Sequence, residues 1–201
     1  GHNLREITAH RNDPDSGAAF YTKLFDECSA LMVQIEQHED AIIAEVGGLA
    51  SAAGCQLVAS CDLAIAGDAA GFCTPGVNIG LFCSTPMVAV SRSVGRKHAM
   101  DMLLTGRVVS AAEACSMGLV NKVVDEGEAL NEALAIARKL AAGAPYAVQT
   151  SKTAVNKFIK AVSNMVLPYS LAVEEVSMRT ADHREAVQAF QEKRDPRFTG
   201  Q

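Results

Sequence analysis

Val46 to Asp62 reads VGGLASAAGCQLVASCD, a short apolar strand that ends in a glycine pair and passes into a helix built from small residues. The run Ala41 to Val46, AIIAEV, has the length and character of a buried strand. Gly47 and Gly48 turn the chain, and Ser51 to Ser60 then has the composition of a helix. Ala52, Ala53 and Gly54 carry almost no side chain, which leaves the unpaired amides of the first helical turn open to a ligand oxygen. Small residues also let a helix pack closely on a sheet, and the segment by itself fits both readings.

Three further stretches extend the pattern: GHNLRE at Gly1 to Glu6, FCTPGVNIGL at Phe72 to Leu81, and SAAEACSMGLVNKVV at Ser110 to Val124. With GLASAAGCQL, RKLAAGAPYAVQTSK and the closing AFQEKRDPRF, they make the chain resemble the enoyl-CoA hydratase/isomerase (crotonase) family from end to end. That resemblance implies an α/β fold, a crotonase-type ββα spiral core followed by a C-terminal helical trimerisation region. It implies a backbone oxyanion hole made by the N–H groups of His2 and Ala53, with Gly54 the neighbouring candidate. His2, Asn3, Leu4, Arg5, Ala53 and Gly54 would face the thioester and pantetheine arm of an acyl-CoA. Lys193 would lie near a CoA phosphate, and the assembly would be a homotrimer or a dimer of trimers. No resident cofactor is implied; the coenzyme A thioester would be substrate or ligand, in fatty-acid or acyl-CoA metabolism.

The acid/base chemistry departs from the family pattern. Family hydratases place two glutamates around a water, because one group must take a proton while another gives one. The corresponding positions here are Gln56 and Gly76, neither of which titrates. Hydratase activity is therefore expected to be very weak or absent, and restoring both glutamates should raise it if the cavity keeps its shape. Where some relatives carry an aspartate, this chain offers Cys83, Ser84 and Thr85. Cys83 precedes an expected helix from Thr85 to Val94, where a helix N-terminus can activate a thiol, although free cysteine more often packs as a small hydrophobe. Asn78 reads either as an orienting group or as a turn residue.

Two function classes stay open: an enzyme working through a thioester enolate with proton transfers supplied elsewhere, and a non-catalytic acyl-CoA binder or assembly partner. A dinucleotide site is disfavoured, because VGGLASAAG lacks the G-x-G-x-x-G spacing.

Composition sets the frame. At 201 residues and 49% hydrophobic the chain can bury one full core, and a net charge of −5 argues against a nucleic-acid surface. No apolar run has the length of a membrane span. The six cysteines show no C-x-x-C spacing, which suits reduced thiols in the cytoplasm or the mitochondrial matrix. The five histidines are scattered, so no metal is expected.

The expected order is a helix from Ala18 to Glu36, strands at Ile42 to Val46, Asp62 to Ala66, Gly71 to Thr74 and Gly118 to Val124, and helices at Arg96 to Leu104 and Ala111 to Ser116. Alternation of this kind favours parallel pairing. Residues 1–127 form the expected core; residues 128–201 form a helical region of the same domain, with helices at Leu130 to Ala142, Tyr146 to Lys160, Val166 to Thr180 and His183 to Arg194. Val162, Met165, Val166, Tyr169, Val173 and Val176 form an apolar stripe expected to make subunit contacts. In the family, strands precede the motif at Gly1, so a targeting segment is not readable here.

Overall fold

Two small sheets carry the core. The first pairs β1 (Ile43–Val46), β3 (Leu63–Gly67) and β6 (Lys122–Val124) in parallel, in the order β1-β3-β6. The second pairs β2 (Leu49–Ser51) in parallel with β4 (Gly71–Cys73), and β4 in antiparallel with the two-residue β5 (Val109–Ser110). The computed structural model describes residues 1–200, with side chains described throughout except at 158–168 and 174–175.

Strand periodicity explains how β3 is covered on both faces. Ile65 points to one side, where it packs with Ala129 and Ala133 of α7 (Ala129–Ala141). Ala64 and Ala66 point to the other side, into a cluster with Phe72, Val90, Met102, Val109 and Ala114. Small residues in register, Ala44 with Ala64 and Val46 with Ala66, leave room for that cluster. The cluster is completed by α3 (Ala53–Ser60), α4 (Ser84–Ser93), α5 (Arg96–Thr105) and α6 (Ala111–Met117). Ser110 caps α6 by accepting the Glu113 amide, and Gly118 ends it at φ 87°, which glycine tolerates without penalty.

Around this core, α1 (Leu4–Ala9) and a 3₁₀ turn at His10–Asn12 lead into α2 (Ala18–Gln37). The long α8 (Pro145–Met178) lies on α2 and α4, and α9 (Ala181–Glu192) packs against the 3₁₀ turn Pro75–Ile79. Lys152 of α8 is buried; its ammonium donates to the carbonyls of Ile35 and Asp40 and pairs with Asp62 at 2.7 Å. That cation answers the unpaired carbonyls at the end of α2.

Several expectations need correction. The glycine pair does not open directly into the helix: β2 intervenes, and the reversal comes at Ala52 (φ 50°, ψ −115°), so α3 starts at Ala53 rather than Ser51. Three residues are too few for alternation to reveal a strand. The leading loop contains α1, which Asn3 starts by accepting the Arg5 amide. The helices expected at Tyr146 to Lys160 and Val166 to Thr180 are one element, α8, because residues 161–165 hold no glycine or proline to stop it. The last expected strand shortens to Lys122–Val124. In the expected apolar stripe Tyr169 and Val176 are exposed, whereas the side chains of Val162, Met165 and Val166 lie outside those described. No helix among the described residues is long and apolar enough to cross a membrane.

Candidate functional site

The strained turn and the chain start meet at one place. Ala52 donates its amide to the Cys73 carbonyl (2.9 Å), which ties the turn to β4, and the Gln56 amide returns to the Ala52 carbonyl. Ala53, Gly54 and Cys55 are thus the first-turn residues of α3 whose amides have no intrahelical acceptor. Gly1 lies beside them: a methyl group on Gly54 would come 3.7 Å from the Gly1 nitrogen, and one on Gly1 3.2 Å from the Ser51 carbonyl oxygen. The His2 amide has no backbone acceptor among the described residues.

Gly1, His2 and Ala53 also line a cavity of about 150 Å³. Ser51, Ala52, Gly76, Cys83 and Thr85 line it too. Ile7, Phe25, Phe82 and Met178 supply apolar wall. The His2 ring meets Phe25 edge-on, with centroids 6.1 Å apart. Burial, with a smaller contribution from the nearby α-amino charge, holds the His2 imidazole below its ordinary pKa, so the neutral ring is favoured. Among the described residues no carboxylate lines this cavity.

The fold brings His2, Ala53, Gly76 and Cys83 together, and it sets Gln56 apart. Gln56 is buried one layer back, its side-chain oxygen accepting the hydroxyl of Thr85 at 2.9 Å, and it is Thr85 that faces the cavity. Gly76 has no space for a side chain. A methyl group there would fall 2.7 Å from Cys83 Sγ and 2.9 Å from the Leu81 carbonyl oxygen. The Gly76 N–H instead donates to Cys83 Sγ at 3.2 Å. The deeper thiol of Cys55 is pushed by burial up to about 12, which makes it a packing group.

Other candidates sort differently. Asn3 serves as a helix cap and does not line the cavity. Leu4, Arg5 and Lys193 line a neighbouring groove of about 440 Å³ that shares Leu4 and Ile79 with the cavity. Asn78 donates to the Gly106 carbonyl (3.4 Å), as a turn residue would. The apolar wall from Ile7, Phe25 and Met178 was not legible in the sequence, because three distant helices contribute one residue each and only tertiary packing joins them. Thr85 had a weak signal, standing in the polar triplet Cys83 to Thr85.

The sequence profile described as enoyl-CoA hydratase/isomerase matches residues 1–201, the whole chain. The chain belongs to the enoyl-CoA hydratase/isomerase family. Among curated family members it is 44% identical over 200 residues to human "Enoyl-CoA hydratase domain-containing protein 3, mitochondrial", covering 98% of this chain and 63% of that protein. The rat protein of the same name is 43% identical over 198 residues, covering 98% and 64%. This chain thus spans just under two thirds of those relatives' length. The crystal structure of human enoyl-CoA hydratase domain-containing protein 3 superposes with a TM-score of 0.71 at 42% identity, covering 98% of this chain and 76% of that one. A carnitinyl-CoA dehydratase from Mycobacterium avium gives 0.76 at 32% identity, covering 81% and 65%. The fold is the crotonase fold, and within the family the chain is most like enoyl-CoA hydratase domain-containing protein 3.

Proposed function

We propose that this chain binds an acyl-CoA, with the thioester carbonyl held by the amides of His2 and Ala53 or Gly54, and that it does not carry out paired-carboxylate hydration. The carrying observation is the cavity itself: His2 and the first residue of α3 on its wall, an apolar lining around them, and no carboxylate lining it among the described residues. Backbone donors aimed at a developing oxyanion are typically worth about 3 kcal/mol each, and they survive any change of side chain. The acyl group would occupy the cavity, while the pantetheine arm and phosphates would follow the groove bearing Arg5 and Lys193. Cys83 and His2 are the titratable side chains on the wall, so any enolate chemistry would draw its proton from one of them or from the substrate. By likeness to relatives whose names carry the word mitochondrial, the protein would work in the mitochondrial matrix. The exposed Tyr169, Val176 and Phe190 of the tail support a homotrimer or dimer of trimers, and a monodisperse monomer in light scattering would refute that assembly.

Calorimetric titration with crotonyl-CoA and its thioether analogue, beside a hydration assay, tests the reading. Expected are saturable binding of the thioester, weaker binding of the analogue without the carbonyl oxygen, and hydration far below that of paired-glutamate enzymes. Hydration at a rate ordinary for such enzymes, or equal affinity for both ligands, would overturn it. The chemical probe is preferable to Ala53→Pro, because proline would force Ala52 out of its φ 50°, ψ −115° conformation.

A further inference from the structure

A basic recess of about 230 Å³ adjoins the cavity, and Met178 lines both. Its wall carries Arg11, Arg179 and Arg184 with one carboxylate, Asp15. Asp15 is already engaged at the start of α2, accepting the Gly17 amide at 3.0 Å and the Ala19 amide at 2.9 Å. The N-terminal segment links the three spaces in order: Leu4 lines groove and cavity, Ile7 the cavity, and Arg11 the recess, at spacings of three and four residues.

We propose that this site takes acyl thioesters whose far end bears a carboxylate, with that carboxylate held by the arginines of the recess. The proposal rests on the acyl-CoA reading above and names the substrate class for the same site. Arg11 is held in place for the task. It donates to His183 Nε2 at 2.7 Å, while the other ring nitrogen of His183 donates to the Ile79 carbonyl at 2.6 Å. Arg184 is exposed and makes no ion pair among the described residues. Planar guanidinium forks match a carboxylate two bonds at a time, and several around one recess favour a terminal anion over a methyl end. An apolar tail reaching the same place would be left against charged groups. Met178 stands between cavity and recess, and an unbranched thioether side chain can turn aside where a branched one could not.

The test is titration of the full-length protein with matched pairs: succinyl- against butyryl-CoA, glutaryl- against valeryl-CoA, and adipyl- against hexanoyl-CoA, with free adipate as a control. At least one dicarboxylyl thioester should bind about tenfold more tightly than its straight-chain partner. The ratio should shrink with added salt, because Arg179 and Arg184 are exposed. In Arg179→Gln/Arg184→Gln, with Arg11 kept for its bond to His183, the ratio should approach one. Straight-chain ligands equal or tighter at every length would overturn the proposal and leave acyl-CoA binding standing, as would a ratio unchanged in the double variant. Free adipate binding as tightly as adipyl-CoA would make the recess a site for a free anion and also overturn it. Failure of every thioester to bind would remove the acyl-CoA reading, and this proposal with it.

Discussion

Gly76→Ala adds one methyl group and tests the most specific geometric feature of the site. The new carbon would lie 2.7 Å from Cys83 Sγ, 2.9 Å from the Leu81 carbonyl oxygen and 3.3 Å from the Cys83 nitrogen. Comfortable carbon contacts begin near ~3.5 Å, so the shortfall approaches ~1 Å on two sides. The sulfur can swing away at modest cost. The carbonyl cannot, because Leu81 closes the turn through its amide to the Gly76 carbonyl (2.9 Å). Overpacking of this kind costs about 1–3 kcal/mol, which for a chain of this size lowers Tm by roughly 2–4 °C per kcal/mol. Cys83→Ala removes the worst contact but strips the Gly76 N–H of its acceptor, so alone it should cost about 1 kcal/mol. The double variant should lose about 0.5–2 kcal/mol less than the sum of the singles. Urea and thermal unfolding of the four proteins measure this cycle; a neutral Gly76→Ala, or strict additivity, would refute the steric argument. The same geometry bears on the condition attached to restoring glutamates at 56 and 76, that the cavity keep its shape. A glutamate side chain at position 76 would begin inside the space of Cys83, so Gln56→Glu/Gly76→Glu should show no gain, and any gain should need Cys83→Ala as well.

Three further outcomes follow from other parts of the molecule. Ala52→Gly should raise stability by about 1 kcal/mol by relieving a positive φ on a residue with a side chain, measured as a higher Tm; a loss would mean the turn is not strained. Burial, ahead of all other causes, holds the pKa of His183 below its ordinary 6.5, so the unfolded chain takes up the proton more readily. Its stabilisation is present above pH 6.5 and lost as pH falls from there through the depressed folded-state value, so a Tm-against-pH curve should be flatter on the acid side in His183→Gln, and parallel curves would refute the assignment. Lys152→Met should cost about 3–5 kcal/mol in urea unfolding, because it leaves Asp62 without its cation; a cost under about 1 kcal/mol would show that the pair is solvated.

What the sequence made legible was what short-range chemistry dictates. The run from Val46 to Asp62 announces a helix start with bare amides, because small residues and a strand-to-helix passage are local properties. The amphipathic periods of α2, α7 and α9 gave those helices to within a few residues. β2 and β5 escaped notice because strands of three and two residues exist through their partners rather than through a pattern of their own. The site divides along the same line. His2 and Ala53 sit in recognisable motifs, and both line the cavity. Gln56 was expected at the position of a family glutamate beside the water, yet it is buried and bonded to Thr85, which lines the cavity in its place, and no reading of one strand and one helix could have shown which neighbour would stand in front.

The two altered positions are consistent with each other in a way that neither shows alone. A catalytic water needs polar groups with unspent hydrogen-bonding capacity facing it. At position 56 the side-chain oxygen is taken by the Thr85 hydroxyl, and at position 76 the amide is taken by Cys83 Sγ. Cys83 and Thr85 lie one residue apart on either side of the first residue of α4, so a single helix start supplies both partners. At both positions the protein's own side chains, Thr85 and Cys83, take up that hydrogen-bonding capacity. Substituting the glutamates alone would therefore leave two competing interactions in place, and removal of both Cys83 and Thr85 partners would open polar groups to solvent without supplying a base. Neither the His2 nor the Ala53 amide has a backbone acceptor among the described residues, and Ala53 follows the chain reversal at Ala52 that the bond to Cys73 holds. On the proposed reading, carbonyl binding would draw on main-chain donors and proton transfer on side chains, so the first could persist without the second.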